Sequence, residues 1–143
     1  MIENRKFKIN GTVRFAGLQT DKQGNERQVV TLTISDDSIK KIEALIGDNA
    51  TYSSTPIKES EKGEVYFKAQ TQFEVVMYSN GELDNIPLDE IGRDSDVTLF
   101  CKFKEQKVKR DTVLVACLLS VNVINLVPYE AFNAFESDDI EEM

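Results

Sequence analysis

The sequence contains no histidine and only two cysteines among its 143 residues. The commonest zinc ligands and the commonest general base are therefore missing, which excludes zinc-assisted hydrolysis and any Ser-His or Cys-His nucleophile. No glycine-rich phosphate cradle is present either, and no cofactor is expected. Nowhere do apolar residues run for the ~20 positions a bilayer span requires, and the N-terminal "MIENRKFKIN" lacks the apolar region of a secretion signal. A cytoplasmic location follows as the expectation. Cys101 and Cys117 sit in "TLFCKF" and "VLVACLL", among alternating apolar residues, a setting that suits reduced core thiols better than a disulfide.

What is present is ordinary globular material, 41% apolar and 29% charged. A chain of this length buries roughly 68 to 70% of its unfolded surface on folding, enough for one core without staples. Alternation dominates. In "KFKINGTVRFAGL" the residues Phe7, Ile9, Gly11, Val13 and Phe15 point one way and Lys6, Lys8, Asn10, Thr12 and Arg14 the other, which is a half-buried strand with a cationic outer face. Gly11 in its middle permits a bend or bulge, as a strand shared by both halves of a barrel requires. After the polar turn "QTDKQGNER", the run "QVVTLTIS" alternates again, so the two form a hairpin. "DDSIKKIEALIGD" then reads as a short amphipathic helix: Asp36 or Asp37 caps it, Ile39, Ile42, Leu45 and Ile46 share a face, and Gly47 stops it.

Residues 48–63 show no period and read as a surface loop. "EVYFKAQTQFEVVMYSNG" reads as one long strand with Val65, Phe67, Ala69, Thr71, Phe73, Val75 and Met77 inward, and "PLDEIG" suffices for a helical turn. "DVTLFCKF" and "VLVACLLSVNVINLV" supply two more strands, with "KFKEQKVKRD" as the hairpin loop between them. Five strands, hairpins at both ends and a bent first strand predict an all-β, five-stranded Greek-key barrel of OB type with short helices. A sandwich of the same strand count is the alternative. Residues 1–128 form the barrel domain and 129–143 an acidic, disordered tail.

The charge is unevenly spread. Up to Tyr129 seventeen cations face nineteen acids, a net of -2, and the six acids from Glu130 onward account for the rest of the -8. Against that background "KFKEQKVKRD" holds five cations and two acids. In an OB barrel the ligand crosses the second and third strands, flanked by the loops joining strands one to two and four to five. The first of these loops carries Lys22 and Arg27; the second carries Lys104, Lys107, Lys109 and Arg110. Lys6, Lys8, Arg14, Lys68 and Lys102 occupy outward strand positions, interleaved with Tyr66, Tyr78 and Phe100. Cations that track phosphates beside rings on which bases stack are what binding to single-stranded nucleic acid requires. Outward lysines are also normal on any soluble β protein; the densest basic stretch falling in a loop the barrel uses for binding favours the ligand.

The strings "FKINGTVRFAGL", "IGRDSDVTLFCKF", "ACLLSVNVINLVPY" and "AFESDDIEEM", in that order from end to end, resemble phage-encoded single-stranded DNA-binding proteins. The resemblance implies a protein that coats and protects exposed DNA during replication and recombination, in the host cytoplasm. It implies a tail, here Phe135, Asp138, Asp139, Glu141 and Glu142, that competes with DNA for the basic face and recruits a polymerase, recombinase or other replication protein. A homodimer is compatible with it. The chain departs from many such tails in ending on Met143 in place of an aromatic residue.

Two other classes compete. Glu105 and Lys107 match the Glu-x-Lys element of metal-dependent nucleases, but Asp96 lies nine residues from Glu105 on one proposed strand. At ~3.3 Å per residue that is about 30 Å, too far to share a metal ion. The stronger rival is a protein-interaction or virion barrel whose basic loop meets an acidic partner.

Overall fold

In the computed structural model, which describes residues 2–20, 24–47 and 52–127, the strands are β1 (Lys6–Thr20), β2 (Glu26–Thr33), β3 (Ile57–Glu59), β4 (Val65–Thr71), β5 (Val76–Ser79), β6 (Glu82–Leu83), β7 (Asp96–Val108) and β8 (Asp111–Asn125). Helix α1 (Asp36–Ile46) joins β2 to β3, and a single 3-10 turn (Leu88–Glu90) precedes β7. The first strand serves both halves of the fold, as its length requires. It pairs antiparallel with β7 from Lys6 to Thr12 and with β2 from Thr12 to Thr20. β2 pairs with β4, β4 runs parallel to β8 at Ala69–Ala116, and β8 returns along β7. The circuit β1–β2–β4–β8–β7 is closed, the five-stranded OB-type Greek-key barrel expected from the sequence. The short β3 extends β4 on one side, and β5 with β6 extends β8 on the other.

The barrel interior follows the alternation. Ile9, Val13, Leu32, Phe67, Leu99, Phe103, Leu114 and Val121 are all at most 4% exposed, and burying each such side chain contributes about 1.5 to 3 kcal/mol. Phe7 stacks on Phe103 with ring centroids 4.3 Å apart and meets Phe67 edge-on at 6.0 Å. At Gly11 a Cβ would lie 2.8 Å from the carbonyl oxygen of Thr33 and 3.0 Å from Cβ of Leu32, so only glycine lets β2 approach where β1 changes partners.

The switch itself lies just beyond. The backbone N–H of Val13 donates to Ser95 O (2.8 Å) and its carbonyl accepts from Asp94 N (2.9 Å), so the turn before β7 takes the bonds the β7 ladder leaves. The β2 register then slips between Val13 and Phe15. Such a bulge reverses the inward phase. Val13 and Ala16 both face the core, and Phe15, expected inward from the alternation, faces out at 39% exposure.

Several other expectations are corrected. The run read as one strand from Glu64 is two, β4 and β5. It breaks after Thr71, whose Oγ1 accepts from the backbone N–H of Phe73, and Phe73 is 68% exposed instead of buried. Ser35, not Asp36 or Asp37, caps α1: its Oγ accepts from Ser38 N at 3.2 Å, with the two aspartates in the first turn. Ile42 is buried, Ile39, Leu45 and Ile46 pack beside it, and Gly47 at φ 85° ends the helix. The segment read as a loop includes β3. Cys101 is a core thiol, its pKa pushed far up by burial, whereas Cys117 is only half-buried; both are free. Among the described residues no helix is long and apolar enough to cross a membrane.

"KFKEQKVKRD" is not a loop. Strands β7 and β8 remain paired from Phe103–Ala116 out to Val108–Asp111, leaving only Lys109 and Arg110 as the turn. This arm is tied along its length to residues 52–54. Ser53 N donates to Thr112 O, Leu114 N donates to Ser54 O, and Tyr52 Oη donates to Glu105 Oε2 at 2.5 Å. That bond, followed by burial, holds the Tyr52 hydroxyl up at about 12. A native pKa above the ordinary 10 means stabilisation present below pH 10 and lost as the phenol ionises through about 12. Tyr52→Phe should therefore lower the unfolding free energy by about 1 kcal/mol at neutral pH. Denaturant titrations across pH should show the deficit constant to pH 10 and vanishing toward pH 12; a deficit that persists beyond pH 12 would assign it to packing instead.

Candidate nucleic-acid interface

Strand pairing sorts the sequence-selected residues onto two outer faces and one arm. On the first face, the outward side of β1, β2 and β4, residues form cross-strand rows. Gln19 lies opposite Arg27; Gly17, Val29 and Gln70 form the next row; Phe15, Thr31 and Lys68 the next. Tyr66 pairs with Lys58 across β3 and β4. The Arg14 guanidinium stands 4.6 Å from the centre of the Tyr66 ring and 3.3 Å from a Glu64 carboxylate oxygen. The ring and carboxylate together hold the arginine against the sheet, with Glu64 offsetting its charge, so the excess positive charge of this face comes from Lys58 and Lys68.

Lys58 was not singled out in the sequence because it stands in "IKESEKG", where only Ile57 hints at a strand. In the structure its Nζ donates to Ser54 Oγ, and its pKa is lowered, first by burial and then by the charge of Lys68. Two neighbouring ammonium groups, one of them partly desolvated, favour an anion between or above them. Phe15 was missed for a different reason: nothing in "TVRFAG" signals the bulge that turns it outward. Arg27 is half-buried at the outer end of β2, and Lys22 lies outside the described residues.

The second face is the outward side of β1, β7, β8 and β5. Lys6 pairs with Lys102, and Lys8 with Phe100. Phe100 pairs with Ser120, and Tyr78 with Asn122. Tyr78, Gly81, Phe100, Ser120 and Asn122 line a shallow recess of about 310 Å³, and Asn122 Oδ1 accepts from Gly81 N at 2.9 Å. Phe100 is 40% exposed and Tyr78 half-buried, so two aromatic rings and three lysines share this face. The expected aromatics thus divide: Tyr66 belongs with Arg14, Lys58 and Lys68, and Tyr78 and Phe100 with Lys6, Lys8 and Lys102.

The arm carries the remaining cations. Lys104 and Lys107 are exposed strand residues, Lys107 Nζ donates to Thr112 Oγ1 at 2.8 Å, and Lys109 and Arg110 form the tip. Lys109 has φ 58°, a left-handed conformation that costs a β-carbon-bearing residue roughly 1 to 2 kcal/mol and that glycine adopts freely. The thirteen candidates of the barrel therefore do not form one patch. Arg14, Tyr66 and Lys68 gather on the first face, five residues on the second, four on the arm, and Arg27 at the rim. The tail residues Phe135, Asp138, Asp139, Glu141 and Glu142 lie outside the described residues. Asp96 opens β7 and Glu105 lies near its far end; among the described residues no group of three or more Cys, Asp or Glu side chains is arranged to hold a metal ion.

No protein-family model matches the chain, and no curated protein does. Solved structures do. The single-stranded DNA-binding protein of bacteriophage Enc34, truncated at its C-terminus, superposes with a TM-score of 0.67 at 19% identity over 87% of this chain and 88% of that one. The same protein in complex with single-stranded DNA gives 0.67 at 18% identity, over 84% and 86%. The single-stranded DNA-binding protein gp2.5 of bacteriophage T7 gives 0.65 at 17% identity over 96% of each chain. The group that the sequence strings resemble is thus the group whose fold this chain shares.

Proposed function

We propose that this chain binds single-stranded DNA without sequence preference, coating and protecting it during phage DNA replication and recombination, and that it does so as a binding protein without a catalytic step. The observation that carries the reading is the first face. There Arg14 stands over Tyr66, and Lys68 lies beside Lys58 on the outward side of a closed barrel, so that phosphate-attracting lysines adjoin a ring–guanidinium stack that a base can extend. Rings bind any base through its flat face, and cations bind a backbone common to all sequences. The barrel of residues 1–128 is the binding domain in this reading. The arm bends the path of the strand with Lys104, Lys107, Lys109 and Arg110, and Lys6, Lys8, Lys102, Phe100 and Tyr78 on the second face take a further stretch of it. The likeness to the Enc34 protein, solved in complex with single-stranded DNA, supports the same class of ligand. The acidic residues from Glu130 onward act as phosphate mimics, competing with DNA and offering a contact to other replication proteins.

Fluorescence anisotropy of a labelled mixed-sequence oligonucleotide of about 30 nucleotides tests the reading directly. Strong preference over the matching duplex is expected, with a salt slope near -0.7 per phosphate neutralised, hence roughly -3 for four contacts. No binding at low salt would reject it in favour of an acidic protein partner.

Lys109 gives a sharper test, because its left-handed backbone at the tip of the arm is one that glycine adopts without strain, which separates the effect on stability from the effect on binding. Lys109→Gly should raise stability by about 1 kcal/mol and at the same time weaken strand binding. A variant that is more stable and binds as well as the parent would remove the arm from the interface. Truncation before Glu130 should tighten binding at low salt, with the gain shrinking as salt screens the tail. Unchanged or weaker affinity would reject the competition.

A further inference from the structure

A groove of about 470 Å³ runs between the second half of β1 and the turn that leads into β7, and it is continuous with the first face through Phe15. Its lining includes Phe15, Gly17, Asp89 and Ile91 together with the two arginines Arg14 and Arg93. The bulge that turns Phe15 outward also lays its ring along the strand: a Cβ at Gly17 would come within 3.2 Å of Phe15 Cζ and 3.7 Å of Asp89 Cβ. A side chain at residue 17 would therefore crowd the ring and narrow the groove.

We infer that this groove receives one nucleobase of the bound strand, stacked on Phe15, with the flanking phosphates held by Arg14 and Arg93. The inference rests on the reading of the chain as a single-strand binder and adds to it a base position that the alternating pattern hides. Three features select a base over any other occupant. The walls are largely apolar with one exposed ring face, which suits a flat aromatic guest. Asp89, an exposed acid of the lining, repels a phosphate but accepts from an exocyclic amine. The two arginines of the lining supply the phosphate contacts that a base in the groove would bring with it. The row Phe15–Thr31–Lys68 continues the path onto β4, so a strand that stacks here is led toward the Lys58–Lys68 pair.

The sequence contains no tryptophan, so Phe15→Trp in the full-length chain introduces a single indole reporter at a site already 39% exposed. Titration with an oligodeoxycytidine, whose bases each carry an exocyclic amine, should quench its emission in proportion to anisotropy-detected binding. Phe15→Leu, which keeps an apolar side chain but removes the flat ring, should lose roughly tenfold in affinity, with an unchanged melting temperature. An abasic oligonucleotide of the same length should bind parent and Phe15→Leu alike. Arg93→Glu should weaken binding and lower the salt slope by about 0.7. If the oligonucleotide binds all variants equally and the indole is not quenched, the groove is not a base site although the chain remains a single-strand binder. If the parent chain fails to bind any single strand, the proposed function falls and the groove's role with it.

Discussion

A single strand that must pair with β7 along its first half and β2 along its second is the constraint from which the rest of the structure follows. At the crossing point the two neighbours compete for the same space, and Gly11 resolves this by presenting no side chain to β2. One residue pair later the backbone of Val13 is claimed by Asp94 and Ser95, which leaves the β2 ladder to resume out of register. The turn that makes this possible is itself anchored. Ser95 is fully buried, its Oγ donates to Val127 O and accepts from Val127 N, and Gly92 N donates to the same carbonyl. The end of the last strand, the entry to β7 and the middle of β1 are thus held at one point. A defect there would be felt in barrel closure and in the placement of Phe15 together.

The electrostatics show how an acidic chain keeps a cationic surface. Barrel and tail differ in kind: the barrel is nearly neutral, and its cations are sorted by strand pairing onto outward positions while the inward ones are apolar. Lysines placed side by side on paired strands, as at Lys6 and Lys102, repel one another in the free protein. Lys58 and Lys68 do so more strongly because one of them is partly desolvated. Such pairs are tolerated because water and salt screen them, and they are relieved by any polyanion that lies across them.

Alternation made the barrel legible, since each barrel strand has one face against the core and the period of two is written in residues such as Val97, Leu99, Cys101 and Phe103. It failed where that physical cause is absent. Beyond Phe103 the β7–β8 arm leaves the core, so Lys104 to Val108 carry no inward apolar residue and read as a loop although they are paired. At Phe15 the alternation was intact and misleading, because a bulge depends on bonds to Asp94 and Ser95, some eighty positions away in the chain. Phe73 failed at a strand end set by the hydroxyl of Thr71, a local device that leaves the hydrophobic pattern untouched. Tyr66, Tyr78 and Phe100 were correctly read as outward. Their division between two faces became visible only when the strand order was known.

The margins of the sheet have a consequence for how the molecule behaves in numbers. Closure of the barrel leaves β3, three residues long and bearing Lys58 and Glu59, and β6, two residues long, as its outermost strands. Margins so short, one of them charged, offer little backbone for another copy to extend by edge-to-edge pairing. With an overall charge of -8 adding mutual repulsion, copies of the chain can be crowded together without their sheets fusing into aggregates.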